Sequence, residues 1–442
     1  MFTVPVGTQP NKETIKAALK YNDECIQRFD ILDNYYKGRH SIVDRFKLPG
    51  LKNNLIVVNH AKYITDINVG YLLGNPVGYR TSGAVSLEPV LEEYKKQTIS
   101  DLDHEVAKAA SKFGVTYELT YALPDNSIHS KLLDPRNCIM VYDDTVEHNE
   151  VFAITYSGKK SEEEYLEVYT YTATEIQEWG VRLGEKTSVP HYFGQIPVVE
   201  YRNNPEKLGD YTPVLTLIDG YNVLQSDRIN DKEQLVEAIL VIYGATMTAE
   251  QKTELRESRV MTMPAKLEGA GVEYLVKALN ETEIDVLAKR IVEDIHKISM
   301  TPNLSDANFV GNASGVAIRY KLIAFEQSVG NKERYFERGL KKRFALYNNY
   351  LNISKNMPLV PTYDIDCVFK RNLPQNDVET AQIINALRNI VDDETLVSQL
   401  SFVDDPKKAI AAAAKEAKQR AKEMADAFGE VTPSTEGDTT QE

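Results

Sequence analysis

The chain has 442 residues, 42% hydrophobic and 26% charged. That is enough for two or three domains at roughly 100–200 residues each, and it excludes a peptide hormone, a disordered tail or a membrane bundle. With 65 acidic and 51 basic residues the net charge is −14, so the surface as a whole repels nucleic acid and any DNA contact has to be local or fleeting. Cys25, Cys138 and Cys367 lie far apart with no CxxC pair, and no apolar run approaches the ~18 residues of a membrane span. The chain therefore reads as a cytosolic protein in a reducing compartment, with neither a disulfide framework nor a thiolate metal site.

Apolar residues recur at helical spacing over residues 12–36, until Gly38 interrupts them. A second helix is expected over residues 59–73, ended by Gly74-Asn75-Pro76, which cannot continue it. A short strand over 77–81 and a helix over 100–113 follow. The period then falls to two in Val115, Tyr117, Leu119 and Tyr121. From there to about Tyr201 the segments IHSKLLD, NCIMVYD, VFAITYS, YLEVYTYT and PVVEYRN predict an antiparallel meander, giving an α+β first domain that is helix-rich overall.

At Thr212-Pro213 the pattern predicts a new helix with Thr212 as its cap. Its second half, residues 226–234, is almost wholly polar, as expected of a helix that is either frayed or packed against polar neighbours, for instance in a ring of like subunits. AILVIYG, VMTMPA and GVEYLVKAL read as strands of a small α/β insert that ends near Leu279. Asn280 then opens another helix with Ile284, Leu287, Ile291, Ile295 and Ile298 on its stripe. Residues 301–313 (TPNLSDANFVGNA) have loop composition with one large aromatic, Phe309. A helix of about 40 residues is expected over 314–354, bent or split at Gly330-Asn331. The strand TYDIDCVFKR, further helices to Phe428 and an acidic tail expected to be disordered complete the chain.

Signatures of catalysis are missing. The seven histidines form no HExxH pattern. GVRLGEKT, residues 180–187, is one residue short of a phosphate loop and its GK pair is interrupted, so a charged hairpin is the better reading. No enzyme, metal site or cofactor is predicted, and the absence of a phosphate loop argues against the alternative of a packaging-motor ATPase or nuclease.

Four ordered blocks carry a resemblance: YYKGRHSIVDR (35–45), NHAKYITDINVGYLLGNPVGYR (59–80), GDYTPVLTLIDGYNVLQSDRINDKEQLVEAILVIYG (209–244) and MTPNLSDANFVGNASGVAIRYKLIAFEQ (300–327). Together they resemble phage portal proteins of the type found in siphophages of Gram-positive bacteria. The resemblance implies a portal fold assembling as a ring, usually of twelve subunits, at a capsid vertex of the virion. Double-stranded DNA would pass through it during packaging and ejection. Implied partners are like subunits, terminase, the major capsid and scaffolding proteins and a head-completion adaptor, with assembly in the host cytoplasm and no membrane. It also implies a wing (1–210 and 314–372), stem helices (211–237 and 280–300), a clip (238–279), a tunnel loop (301–313), a crown (373–429) and a disordered tail (430–442). The DNA-proximal residues would be Thr301, Pro302, Asn303, Leu304, Ser305, Asp306, Asn308, Phe309, Val310 and Asn312. Glu283, Lys289, Arg290, Glu293 and Lys297 would line the stem channel.

Duplex DNA carries a charge about every 1.7 Å, so a strongly basic wall would hold it fast, whereas a near-neutral wall would let it slide. The mixed charges of the second stem helix fit that requirement. Residues 332–343 are instead crowded with bases, Lys332, Arg334, Arg338, Lys341, Lys342 and Arg343. These are expected to pair with acids of a neighbouring subunit or to face DNA.

Overall fold

The computed structural model describes residues 1–45, 53–161, 164–184, 186–236, 239–243, 271–275, 281–304, 320–371, 377–388, 390–398, 400, 403 and 406–428. The chain divides into two compact units, Met1–Asp306 with Leu322–Arg371, and Ala307–Lys321 with Asn372–Glu442.

In the first unit the described helices are α1 (Lys12–Tyr36), α2 (His60–Leu73), α3 (Glu88–Lys96), α4 (Ile99–Phe113), α5 (Leu215–Val236), α6 (Glu281–Ile298) and α7 (Ile323–Lys355). Asn11 and Asn59 cap α1 and α2, each side-chain oxygen accepting from the backbone N–H three residues on, at 2.9 Å in both cases. Thr212 does not cap its helix. Residues Thr212–Val214 form a 3-10 turn ahead of α5, and the buried Thr212 hydroxyl has no hydrogen-bond partner.

The expected single meander is divided among three sheets, the smallest a ribbon of Gly158–Ser161 and Glu164–Leu166. A six-stranded sheet runs in the order Phe2–Val4, Cys138–Asp143, Glu150–Thr155, Val168–Tyr171, Glu175–Trp179, Lys186–Pro190. The last two strands make the hairpin that the GVRLGEKT segment predicts. Val198–Arg202 leaves this sheet to pair with Val115–Ala122, whose other edge pairs with Ile128–Leu133. Val115–Ala122 is buried along most of its length, so its backbone groups need a partner strand on each side, and only a distant segment fills the second edge. All six residues of Cys138–Asp143 are buried. Ile139 and Val141 pack with Ile15 and Leu19 of α1, whereas Met140 and Tyr142 pack with Phe29, Leu32 and Phe113. The period of two in this strand thus serves two cores, one on each face.

Helix α7 departs from expectation at Gly330-Asn331. It runs unbroken through Gly330 for 33 residues, about 50 Å. It is also covered by its own unit, with buried residues spread from Phe325 to Leu351. The expected split at Gly330-Asn331 is absent because a glycine inside a long packed helix costs only about 0.5–1 kcal/mol. The second unit holds three described helices, α8 (Asp377–Leu387), α9 (Asp393–Ser398) and α10 (Pro406–Phe428). The acidic tail lies outside the described residues.

Two glycines of α7 give opposite predictions. A Cβ at Gly330 would meet nothing within 4 Å, whereas one at Gly339 would lie 2.3 Å from the Tyr201 ring. In chemical denaturation Gly330→Ala should stabilise by about 0.5–1 kcal/mol, and Gly339→Ala should destabilise by about 1–3 kcal/mol through overpacking.

Candidate functional site

Helices α5 and α6 lie antiparallel. Lys232 pairs with Glu281 at 2.9 Å and Arg228 lies within 3.9 Å of Glu281 and Asp285 at one end, while Ile218 and Tyr221 share a core with Ile291 and Ile295 at the other. Between them in sequence, Ile239–Tyr243 and Gly271–Leu275 pair as an antiparallel ribbon. The rest of the insert, including VMTMPA, lies outside the described residues.

The polar second half of α5 has a partner inside its own chain. Residues 54–58 run extended along it. The backbone N–H groups of Asn54, Ile56 and Val58 donate to Asn230 Oδ1 (2.6 Å), Ser226 Oγ (2.9 Å) and Asn222 Oδ1 (2.9 Å). The register works because four helical residues rise about 6 Å while two extended residues advance about 6.6 Å. Arg45 extends the contact with an ion pair to Asp227 at 2.8 Å. Of the two expectations for residues 226–234 the packed one holds, with the polar neighbour in the same chain: Ser226 and Asn230, and Asn222 before them, are buried under this strap.

On α6 the five proposed channel residues, Glu283, Lys289, Arg290, Glu293 and Lys297, fall within an arc of about 120°, opposite the buried Ala288 and Ile295. All five are exposed. Their neighbours are largely neutralised: Lys289 pairs with Asp285 at 2.7 Å, and Arg290 lies 3.7 Å from Glu293 and 3.6 Å from Asp294. The hydrogen bond from Lys232 holds the Glu281 carboxyl below its usual range, and that from Lys289 does the same for Asp285.

The root of the loop after α6 is clamped by α2. Tyr63 Oη donates to Pro302 O at 3.0 Å and accepts from Leu304 N at 2.9 Å. Asn68 Nδ2 donates to Thr301 Oγ1 at 2.9 Å, and His296 Nδ1 lies 3.0 Å from Thr301 O. Lys332 of α7 donates to Asn68 Oδ1 and pairs with Asp210 at 2.8 Å. Thr301 is only 1% exposed and anchors the loop at its root. Pro302, Asn303 and Leu304 are described, Leu304 being exposed. Ser305, Asp306, Asn308, Phe309, Val310 and Asn312 lie outside the described residues. Sequence reasoning singled out Lys332 but not this role for it, and missed Tyr63 and Asn68; the available signal was Asn68, a polar residue among the buried residues of α2.

The basic cluster of α7 is corrected too. Arg343 is fully buried against Asp103 (2.7 Å) and Glu118 (3.2 Å), Lys342 pairs with Glu150, and Lys341 with Glu337 at 2.9 Å. With Lys332 on Asp210, four of the six bases have partners within the chain. Among the described residues no group of three or more His, Cys, Asp or Glu comes together as metal ligands would, and no helix is long and apolar enough to cross a membrane.

The sequence model of phage portal proteins described as SPP1 Gp6-like matches residues 16–423. The chain belongs to this portal protein family. The portal protein of Bacillus phage SPP1 is 25% identical over 387 residues, spanning 81% of this chain and 75% of that protein. The portal protein of Clostridium phage phiCD119 is 26% identical over 254 residues, 56% of this chain and 54% of that one. Two solved structures are similar at the level of the fold: the neck of an empty gene transfer agent particle (TM-score 0.45, 14% identity) and the virion of a native gene transfer agent particle (0.43, 12%). Each alignment covers 77% of this chain and 89% of the other. Portal proteins are structural components of the phage particle and not enzymes.

Two predictions follow from the stem and its root. Ser226→Ala removes the acceptor of the part-buried Ile56 N–H and should cost about 1 kcal/mol in urea unfolding; no measurable cost would mean the strap adds nothing. Burial pushes the His60 imidazole from 6.5 down to about 4, with His296 and His40 adding to the effect. The unfolded chain binds this proton and the fold refuses it, so the stability held above pH 6.5 is lost as pH falls from 6.5 towards 4. The gap amounts to about 3 kcal/mol at full protonation. The melting temperature of His60→Phe should accordingly fall less over that range than that of the parent chain.

Proposed function

We propose that this portal-family chain forms, as a ring of twelve copies, the channel through which double-stranded DNA enters and leaves the capsid. In this reading α5 and α6 are the stem and the segment between them is the clip that meets terminase and later the head-completion adaptor. Residues 301–313 form the loop nearest the DNA. Residues 1–210 with 314–372 make the wing beside the major capsid and scaffolding proteins, and residues 373–429 make the crown. Assembly takes place in the host cytoplasm.

The observation that carries the reading is the family match across residues 16–423, which spans the antiparallel pair α5 and α6. The geometry supports it in two respects. A wall on which acids and bases pair with each other, as on α6, offers DNA little fixed positive charge, and its affinity for a sliding duplex stays low. A loop whose first residues are tied to α2 and α7 is held at its root, so that force on its tip is borne by the packed wing. The assignment of residues 373–429 to a separate crown is supported by the second compact unit, which begins again at Asn372 and also takes in Ala307–Lys321.

Light scattering on the purified chain should give a mass close to twelve subunits, about 600 kDa from the 49.9 kDa chain; a stable monomer would refute the reading. Phe309→Ala should leave that mass unchanged and reduce the amount of DNA packaged or retained in particles. Full-length packaging by the variant would remove the loop from the mechanism.

A further inference from the structure

Helix α10 carries six bases, Lys407, Lys408, Lys415, Lys418, Arg420 and Lys422, against three acids, Glu416, Glu423 and Asp426. At 100° per residue the five lysines fall within an arc of about 100°, with Asp426 at its edge near Lys408, while Arg420, Glu416 and Glu423 lie outside it. Those three are engaged on the other side of the helix. Arg420 lies 3.6 Å from Glu416, and Gln419 Nε2 donates to Glu423 at 3.3 Å. At the start of the stripe Lys407 lies 3.6 Å from Glu394 of α9. Among the described residues no ion pair or hydrogen bond engages Lys415, Lys418 or Lys422. Every residue from 411 to 424 is exposed. On a chain of net charge −14, Lys415, Lys418 and Lys422 thus form an exposed group of positive charges that no ion pair or hydrogen bond among the described residues engages.

We propose that this lysine face of α10 binds the phosphate backbone of double-stranded DNA without sequence preference. Lysines are compact charges on flexible stems, suited to phosphates and poorly suited to reading base edges bidentately. From Lys407 to Lys422 the stripe spans 15 steps, about 22 Å, the length of some six to seven base pairs. Lys415, Lys418 and Lys422 stand three and four residues apart, where like charges repel and a polyanion relieves them. Ala411 lies in the middle of the arc and lets the helix backbone approach the duplex. The arc contains no large apolar residue, and this favours a nucleic acid over an acidic protein, whose interface would need an apolar core and few lysines. The choice of DNA as the polyanion rests on the proposed place of the chain in a DNA-conducting particle, whereas the exposed lysine face does not.

The test is fluorescence anisotropy of the full chain with a 30-base-pair duplex of random sequence, over a series of KCl concentrations, comparing the parent with the variant carrying Lys415→Gln, Lys418→Gln and Lys422→Gln. Glutamine keeps helix propensity close to that of lysine, and circular dichroism with light scattering on the same samples checks helix content and mass. The parent is expected to bind with an affinity that falls steeply with salt. The variant should bind at least tenfold more weakly at about 50 mM salt, with a log–log slope shallower by about 2.7 for every subunit engaged. Equal binding by parent and variant, or refusal of the duplex by a parent that binds a polyglutamate peptide, would overturn the proposal. A monomeric mass would count against the ring and leave the binding comparison intact.

Discussion

Arg343 lies on α7 with none of its surface exposed, and its guanidinium meets Asp103 of α4 and Glu118 of the central strand Val115–Ala122. Removing a guanidinium from water costs several kcal/mol unless carboxylates and hydrogen bonds replace the solvent. The fold supplies both: Tyr79 stands 3.2 Å from the guanidinium and the Tyr94 ring lies 5.1 Å beneath it. Burial pushes the Asp103 carboxyl up even against the pull of Arg343, so the pair is stable only while both members stay in place. This one cation fastens a helix late in the chain to elements laid down more than 200 residues earlier, and the position of α7 follows from it.

From α7 the same logic reaches the root of the loop. Lys332, three turns before Arg343, joins Asp210 to Asn68, and Asn68 in turn holds Thr301. Asp210 also accepts from Ser111 of α4 at 2.6 Å and from Asn203 at 2.6 Å. A buried polar chain of this kind has to be complete, because each unpaired member would be costly in a low-dielectric interior. The consequence is that the end of α6 and the start of α7 share one set of hydrogen bonds, although the 15 residues from 305 to 319 separate the described parts of the loop and helix. A displacement of the loop would load α2 and α7 together.

The strap on α5 answers a different demand. A helix with asparagine and serine every four residues offers acceptors and donors where a core would want methyl groups. Residues 54–58 turn that deficit into a ladder, leaving the opposite side of α5 to meet α6. Charges on α6 then settle among themselves and with Arg228 and Lys232. The exposed face that remains carries both signs and Val286, a surface with little net charge.

The helical periods of α1, α2, α4, α5 and α6 and the alternating strands were legible in the residues themselves, because each depends on neighbours within about four positions. Four ordered blocks were enough to place the chain in its family. What the residues could not disclose were partners far apart in sequence. Three sheets arise where one meander was expected, in part because Val198–Arg202 returns to an edge vacant since residue 122. The polar face of α5 meets residues 54–58 within its own chain, and Thr301 anchors the loop by bonds to α2. The bases of α7 give the plainest case: nothing local to Lys332, Lys342 or Arg343 says whether a lysine or arginine faces solvent, DNA or a buried carboxylate. That choice is made by whichever acid the folded chain brings within about 3 Å, a long-range electrostatic decision that composition and spacing leave open.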